Sequence, residues 1–374
     1  MKNSSIYLYF ALFFIYNIDV KIVNQNIKQK IYELSDINNI NINVADMLMM
    51  AFSYTDIFKD EDIKNLTNNG LNEKEAIIDL LYDFYRLDKD NEDNQAIMQE
   101  FFLNNLVCLN PENYLNDLYV KTIKAEGRYG KYALKSLTYE PYQLFAYDEI
   151  KVTKDYKEYS AIGYFKEKFS YLALCEGNNV WMSLNPNEIE TMKPYIAKAK
   201  GNVLVLGLGM GYVPFHLTNK SDVKSITIVE KDQDIINLFN KLLLPKFNNQ
   251  NKIKIVKDDA IYFVSNNHKY DYIFADLWHN PEDGLSLFLK LKAINKNIDC
   301  WLETSLIALL RRCMLTLLEE TVNGSKEEDY KFAKTSTDKV INKYYQKTKN
   351  LTISEVSDLD HLLKDETLLD LFIK

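Results

Sequence analysis

The stretch Val203–Pro214, VLVLGLGMGYVP, runs straight from four apolar residues into glycines at 207, 209 and 211. An apolar run without alternation is the pattern of a strand buried on both faces, as in a parallel sheet. Glycines at its end permit a tight turn and let another group approach the backbone. Tyr212–Leu217 then starts a helix, whose first N–H groups are unpaired and carry positive potential. Further strands are expected at Ser225–Glu230, Ile253–Val256 and Tyr272–Asp276, with a helix over Asp234–Leu243. Apolar strands joined by helices describe a parallel sheet covered on both faces, which binds ligands outside the carboxyl ends of its strands.

The flanking segments read differently. From about Ile22 to Leu137 the signals are helical. In GLNEKEAIIDLLYDFYRL, Asn72 and Glu75 form a capping box, and Ile77, Leu80, Leu81 and Phe84 make one apolar stripe. In NPENYLNDLYVKTI, Asn110 is a cap and Pro111 suits the first turn. The loop DKDNEDNQAIMQE fails as a calcium loop, with Asp93 where glycine is needed and Gln99 where a bidentate Glu should close the site. Tyr159–Phe165, Phe169–Cys175 and Asn179–Leu184 read as a small antiparallel sheet turning at Glu176-Gly177-Asn178, and Asn185 caps a helix from Pro186. The expected division is a helical domain over 1–137, a β-hairpin region over 138–185, the parallel-sheet domain over 186–324 and a helical tail over 325–374.

Four features fall at successive strand ends. Gly207, Gly209 and Gly211 follow the first strand; Tyr212 stands where a dinucleotide fingerprint needs its third glycine, and no G-K-[S/T] follows for a phosphate loop. Glu230 ends the second strand, about 20 residues after the glycines, the interval expected of an acid that grips a ribose diol; its alternative is a surface carboxylate. Asp259 with Ala260 follows the third strand, suited to accept an adenine amino hydrogen beside a small residue, or else to cap the next helix. Asp276 ends the fourth.

With these four features the chain resembles the class I S-adenosylmethionine-dependent methyltransferases, and within them the spermidine-synthase-like branch, over about Phe169–Ile294. The resemblance implies a Rossmann-like, doubly wound, mostly parallel α/β sheet. It further implies cofactor contacts from Gly207, Gly209 and Gly211, ribose binding by Glu230, adenine contact by Asp259 and Ala260, and Asp276 at the reactive end. YLALCEGNNVWMSLNPNEIETM looks like the hairpin and DE-x-x-Y-x-E region that precede the sheet in spermidine synthases. The chain departs from that branch at Met210, where an Asp usually lies between the glycines, and at Asp276-Leu277-Trp278-His279-Asn280-Pro281, where D-S-S-D-P is usual. Both departures remove anions that a cationic amine would need.

The leading expectation is therefore methyl transfer from S-adenosyl-L-methionine to a small-molecule acceptor. The alternatives are aminopropyl transfer from decarboxylated S-adenosylmethionine and a non-catalytic binding protein that keeps the fold. Asp276 is the candidate catalytic group, with holding the cofactor or capping a turn as its other readings. Trp278 and His279 should border the acceptor pocket, His279 as a proton acceptor or an idle loop residue.

A chain of 374 residues with 47% hydrophobic and 26% charged composition is globular, with about two domains expected. Its net charge of −8 argues against a broad nucleic-acid-binding face. Cys108, Cys175, Cys300 and Cys313 have no C-x-x-C spacing, so no metal site is expected, and they read as buried thiols of a reducing, cytoplasmic compartment. The apolar run Ile6–Tyr16 is short of the roughly 20 residues of a membrane span. It lacks a small-residue cleavage site, so a packed or extraneous segment is preferred to a targeting one. The sequence leaves the oligomeric state open.

Overall fold

The computed structural model describes residues 21–22, 24–55, 57–124, 126–266, 269–324 and 335–373. The apolar run Ile6–Tyr16 lies outside them. Among the described residues, no helix is long and apolar enough to cross a membrane.

The described residues form two compact units that do not follow the expected four-part division: those of Asn39–Ala308 are one, and those up to Asn38 join those from Leu309 onward in the other. In the second, Lys21–Ile22 pairs in parallel with Thr352–Ile353. Its helices include Ser336–Thr348, Val356–Leu362 and Asp365–Ile373, the first started by a capping box of Thr335 and Asp338. Buried Arg311 pairs there with Asp365.

In the larger unit, β1 (Gly127–Tyr129), β2 (Tyr132–Tyr139), β3 (Phe169–Glu176) and β4 (Asn179–Ser183) form an antiparallel sheet in the order β4-β3-β2-β1. The expected β3–β4 hairpin is present. The helical reading up to Leu137 is corrected, because Tyr132 and Leu134 alternate inward and Gly130, at φ +56°, opens a two-residue turn to β1. Tyr159–Phe165 does not join this sheet: Ile162–Tyr164 pairs instead with Leu106–Cys108 and Phe145–Ala146. The helix expected after Asn110 is split into Glu112–Leu115 and Leu118–Thr122, because Asp117 accepts the amides of Tyr119 and Val120 and starts a new helix.

The second sheet consists of β5 (Gly201–Leu206), β6 (Val223–Glu230), β7 (Ile253–Lys257), β8 (Tyr272–Ala275) and β9 (Asp299–Cys300), all parallel, in the order β7-β6-β5-β8-β9. Val203–Leu206 is buried throughout, as a strand covered on both faces requires. The register sets Leu206 beside both Val229 and Ala275, and Val229 beside Val256, so four carboxyl ends stop at one level. The chain reverses its direction of travel across the sheet between β5 and β8. That reversal opens the crevice in which such sheets bind ligands.

Candidate active site

A cleft of about 460 Å³ lies over this edge. Its floor holds Gly207, Gly209, Glu230, Asp259, Ala260 and Asp276, and Tyr132, Trp181 and Met182 of the antiparallel sheet also line it. His279 stands in its wall. The structure thus brings together every expected site residue except Gly211, which lines neither this cleft nor the cavity beneath it. A side chain at Gly211 would meet the Phe239 ring, and its φ of +75° favours glycine there.

The other two glycines are required first by the protein itself. Gly207 has φ +98°, its N–H donates to the Val229 carbonyl at 2.9 Å, and a Cβ there would strike the Asp276 backbone carbonyl. Gly209, at φ +49°, faces the Met182 sulfur, which also accepts the Met210 N–H at 3.1 Å. The turn is thereby fixed with backbone, rather than side chains, facing the cleft.

Glu230 is held by its own loop. One carboxylate oxygen accepts the Leu208 N–H at 3.2 Å, the other the Asp232 N–H at 2.8 Å. Burial pushes its pKa up, and these amides oppose the rise. Each oxygen keeps a second lone pair, so the carboxylate can accept two hydroxyls. Asp232 caps the following helix through the Asp234 N–H at 2.8 Å and accepts the Tyr132 hydroxyl at 2.9 Å, tying the two sheets together. Asp259 caps Ala260–Asn266 through the Tyr262 N–H at 2.9 Å, which uses one oxygen. Capping and facing the cleft are thus compatible at this residue.

Trp278 is a wall of the cleft. Its indole N–H donates to the Trp301 carbonyl at 3.2 Å, and Gly284 leaves room for its ring. His279 Nδ1 lies 2.9 Å from Asp283, whose carboxylate also completes a capping box with Asn280, and its ring meets Trp181 edge-on at 4.9 Å.

Beneath the cleft a small cavity of about 20 Å³ shares Met182, Gly207, Leu208 and Asp276 with it. Glu188 reaches this cavity from the helix Pro186–Lys198. Neither the Glu188 nor the Asp276 carboxylate has a hydrogen-bond or ion-pair partner among the described residues. Burial pushes Asp276 up to about 7, and burial followed by the nearby Asp276 charge raises Glu188 well above the usual carboxylate range. Sequence reasoning missed Glu188. An Asn cap with Glu three residues on reads as a capping box; here Asn185 accepts the Glu188 N–H at 3.1 Å, but the Glu188 side chain does not return the bond.

Residues 189–355 match the family described as "Spermine/spermidine synthase domain". Polyamine aminopropyltransferases of Escherichia coli O1:K1 / APEC and of Escherichia coli O45:K1 (strain S88 / ExPEC) are each 32% identical over 108 residues, 27% of this chain. The chain spans 37% of the length of these curated relatives. A spermidine synthase from Thermotoga maritima covers 46% of this chain, and 71% of its own, at 11% identity with a TM-score of 0.28.

These findings support the spermidine-synthase-like side of the resemblance and overturn the expectation of methyl transfer from S-adenosyl-L-methionine, because the matched family and relatives are named for polyamine synthesis and aminopropyl transfer. A physical reason agrees with the correction. The cleft lining carries Glu230, Asp232, Asp258, Asp259, Asp276 and Asp283 against Lys131 and Lys231, with no arginine among the described residues. Lys131 is engaged with Glu176 at 3.0 Å. A carboxylate-bearing donor meets mostly like charge in such a site.

Proposed function

We propose that this chain is an aminopropyltransferase, moving the aminopropyl group of decarboxylated S-adenosylmethionine to a primary amine. The observation that carries the reading is the excess of carboxylates around the cleft, since that donor bears a sulfonium and an ammonium but no carboxylate. The strand order, with its crevice between β5 and β8, supports the Rossmann-like class of the fold.

In this reading Glu230 accepts the two ribose hydroxyls, Asp259 accepts the adenine amino hydrogen beside Ala260, and the turn at Gly207 and Gly209 accommodates the aminopropyl and sulfonium end. The donor supplies an activated carbon. The amine lone pair forms the new C–N bond as the C–S bond breaks, with its electron pair leaving on sulfur. Asp276, at the junction of cleft and inner cavity, takes the proton that the ammonium must lose before attack. A carboxyl whose pKa is raised to about 7 by burial is a competent base near neutral pH. His279, held beside Asp283 and against Trp181 in the cleft wall, has a positioning role.

Incubating the protein with decarboxylated S-adenosylmethionine and a panel of short primary amines, followed by mass spectrometry, tests the reading. Methylthioadenosine and an amine enlarged by one aminopropyl group are expected. A protein that neither binds this donor nor forms either product would end it.

A further inference from the structure

Asp117 breaks the helix that its segment would otherwise form, and both oxygens of its carboxylate are in use. Oδ1 accepts the Tyr119 N–H at 2.8 Å and the Val120 N–H at 3.2 Å, which starts the helix Leu118–Thr122. Oδ2 accepts the Tyr212 hydroxyl at 3.1 Å, and His216 Nε2 stands 3.3 Å from the same oxygen. Burial acts to raise the Asp117 pKa, but His216, the Val120 amide and the Tyr212 hydroxyl outweigh it and hold the carboxyl below its usual range. Tyr119, fully buried, donates its own hydroxyl to the Met210 carbonyl at 2.6 Å. The connections close a circuit: Met210 to Tyr119, Tyr119 to Asp117, Asp117 to Tyr212, and Tyr212 back along the chain to Met210. Edge-on contacts of Tyr119 with Tyr212 at 5.5 Å and of Tyr212 with His216 at 4.6 Å pack the circuit from within.

We propose that Asp117 is a positioning residue for the donor: set between the Tyr212 hydroxyl and His216, it holds Tyr119 on Met210 and so fixes the turn Gly207–Gly211 against the aminopropyl and sulfonium end. Asp117 lines neither the cleft nor the inner cavity, so it acts only through these partners. Gly209 at φ +49° and Gly211 at φ +75° flank Met210 and leave it few local restraints, and the tether supplies one from a segment 91 residues away. The identity of the group that the turn serves rests on the aminopropyl-transfer reading above. The circuit itself rests on its hydrogen bonds and on the buried phenol of Tyr119.

The test is calorimetric titration of the full chain with decarboxylated S-adenosylmethionine and, separately, with methylthioadenosine, which lacks the aminopropyl group and the sulfonium charge. Asp117→Asn is expected to bind the decarboxylated donor about tenfold more weakly and to keep its affinity for methylthioadenosine within about twofold. Tyr119→Phe, which removes no charge, is expected to show the same pattern. A merely structural fault would lower the number of binding sites and move both affinities together. Equal losses for the two ligands, no loss for either, or a pattern confined to Asp117→Asn would overturn the proposal, the last because it reduces the effect to lost charge. Should Asp117→Asn fail to fold, Tyr119→Phe alone decides by the ratio of its two affinities. A wild type that binds neither ligand ends the donor reading and this proposal with it, whereas a wild type that binds both beside variants of unchanged ratio ends the proposal alone.

Discussion

Glu230 in the outer cleft and Glu188 in the inner cavity are both half-buried glutamates in one site, yet their surroundings are opposite. Glu230 is held by two backbone amides before any ligand arrives. Glu188 has no side-chain hydrogen bond among the described residues, and the neighbouring Asp276 repels its charge. A carboxylate already solvated by amides is rigid and suits neutral hydroxyls. One without partners ionises at a cost. In the proposed reading the outer cleft holds and orients the donor, and the proton moves at Asp276.

The strongest break of this contrast is Asp276→Asn. Losing the proton acceptor should lower kcat/KM by about 1,000-fold, while donor affinity measured by calorimetry stays within a few fold. A parallel loss of donor affinity, with no further loss of turnover, would make Asp276 a donor-binding residue and not the base. The same pair imposes a pH effect on stability. Both acids are raised on folding, so their contribution is fully present below the ordinary carboxylate pKa and is lost as pH rises through about 7. The melting temperature of wild type should fall across that window, and Glu188→Gln should flatten the fall.

Gly207→Ala attacks the floor that the two cavities share. Its φ of +98° and the Asp276 carbonyl leave no room for a methyl group, and urea unfolding should show a loss of about 3 kcal/mol. Glu230→Gln should weaken donor binding about 10- to 100-fold and leave the KM for the amine unchanged. The smallest effect is expected of Tyr132→Phe, which removes the hydrogen bond to Asp232 at 2.9 Å and should cost about 1 kcal/mol in unfolding free energy.

Much of the scaffold was legible because its signals are local. Val203–Leu206 reads as a buried strand from apolar residues alone, and Asn72 and Asn185 cap the helices expected of them. The outer site followed, since Gly207, Glu230, Asp259 and Asp276 owe their common position to the register of four strand ends. What was not legible depends on side-chain direction. Glu188 occupies the third position of a capped helix, where the sequence suggests a bond to its own cap; in the fold its carboxylate turns to a cavity made by distant residues. Met210 reads as a lost anion, yet it lines the same cavity as Glu188, which supplies one from another segment. The strands β1 and β2 were hidden because the inward alternation of Tyr132 and Leu134 changes phase at exposed Ser136, with Leu137 and Tyr139 less exposed than Thr138 beyond it, and the Gly130 turn carries the hairpin signal alone.

The central claim, that a predominantly anionic cleft serves a donor without a carboxylate, is tested most directly by titrating one preparation with decarboxylated S-adenosylmethionine and with S-adenosylmethionine at low ionic strength. The account predicts that the decarboxylated form binds at least about tenfold more tightly, the equivalent of roughly 1.4 kcal/mol, and that added salt narrows the gap. Equal affinities, or tighter binding of the carboxylated form, would contradict it.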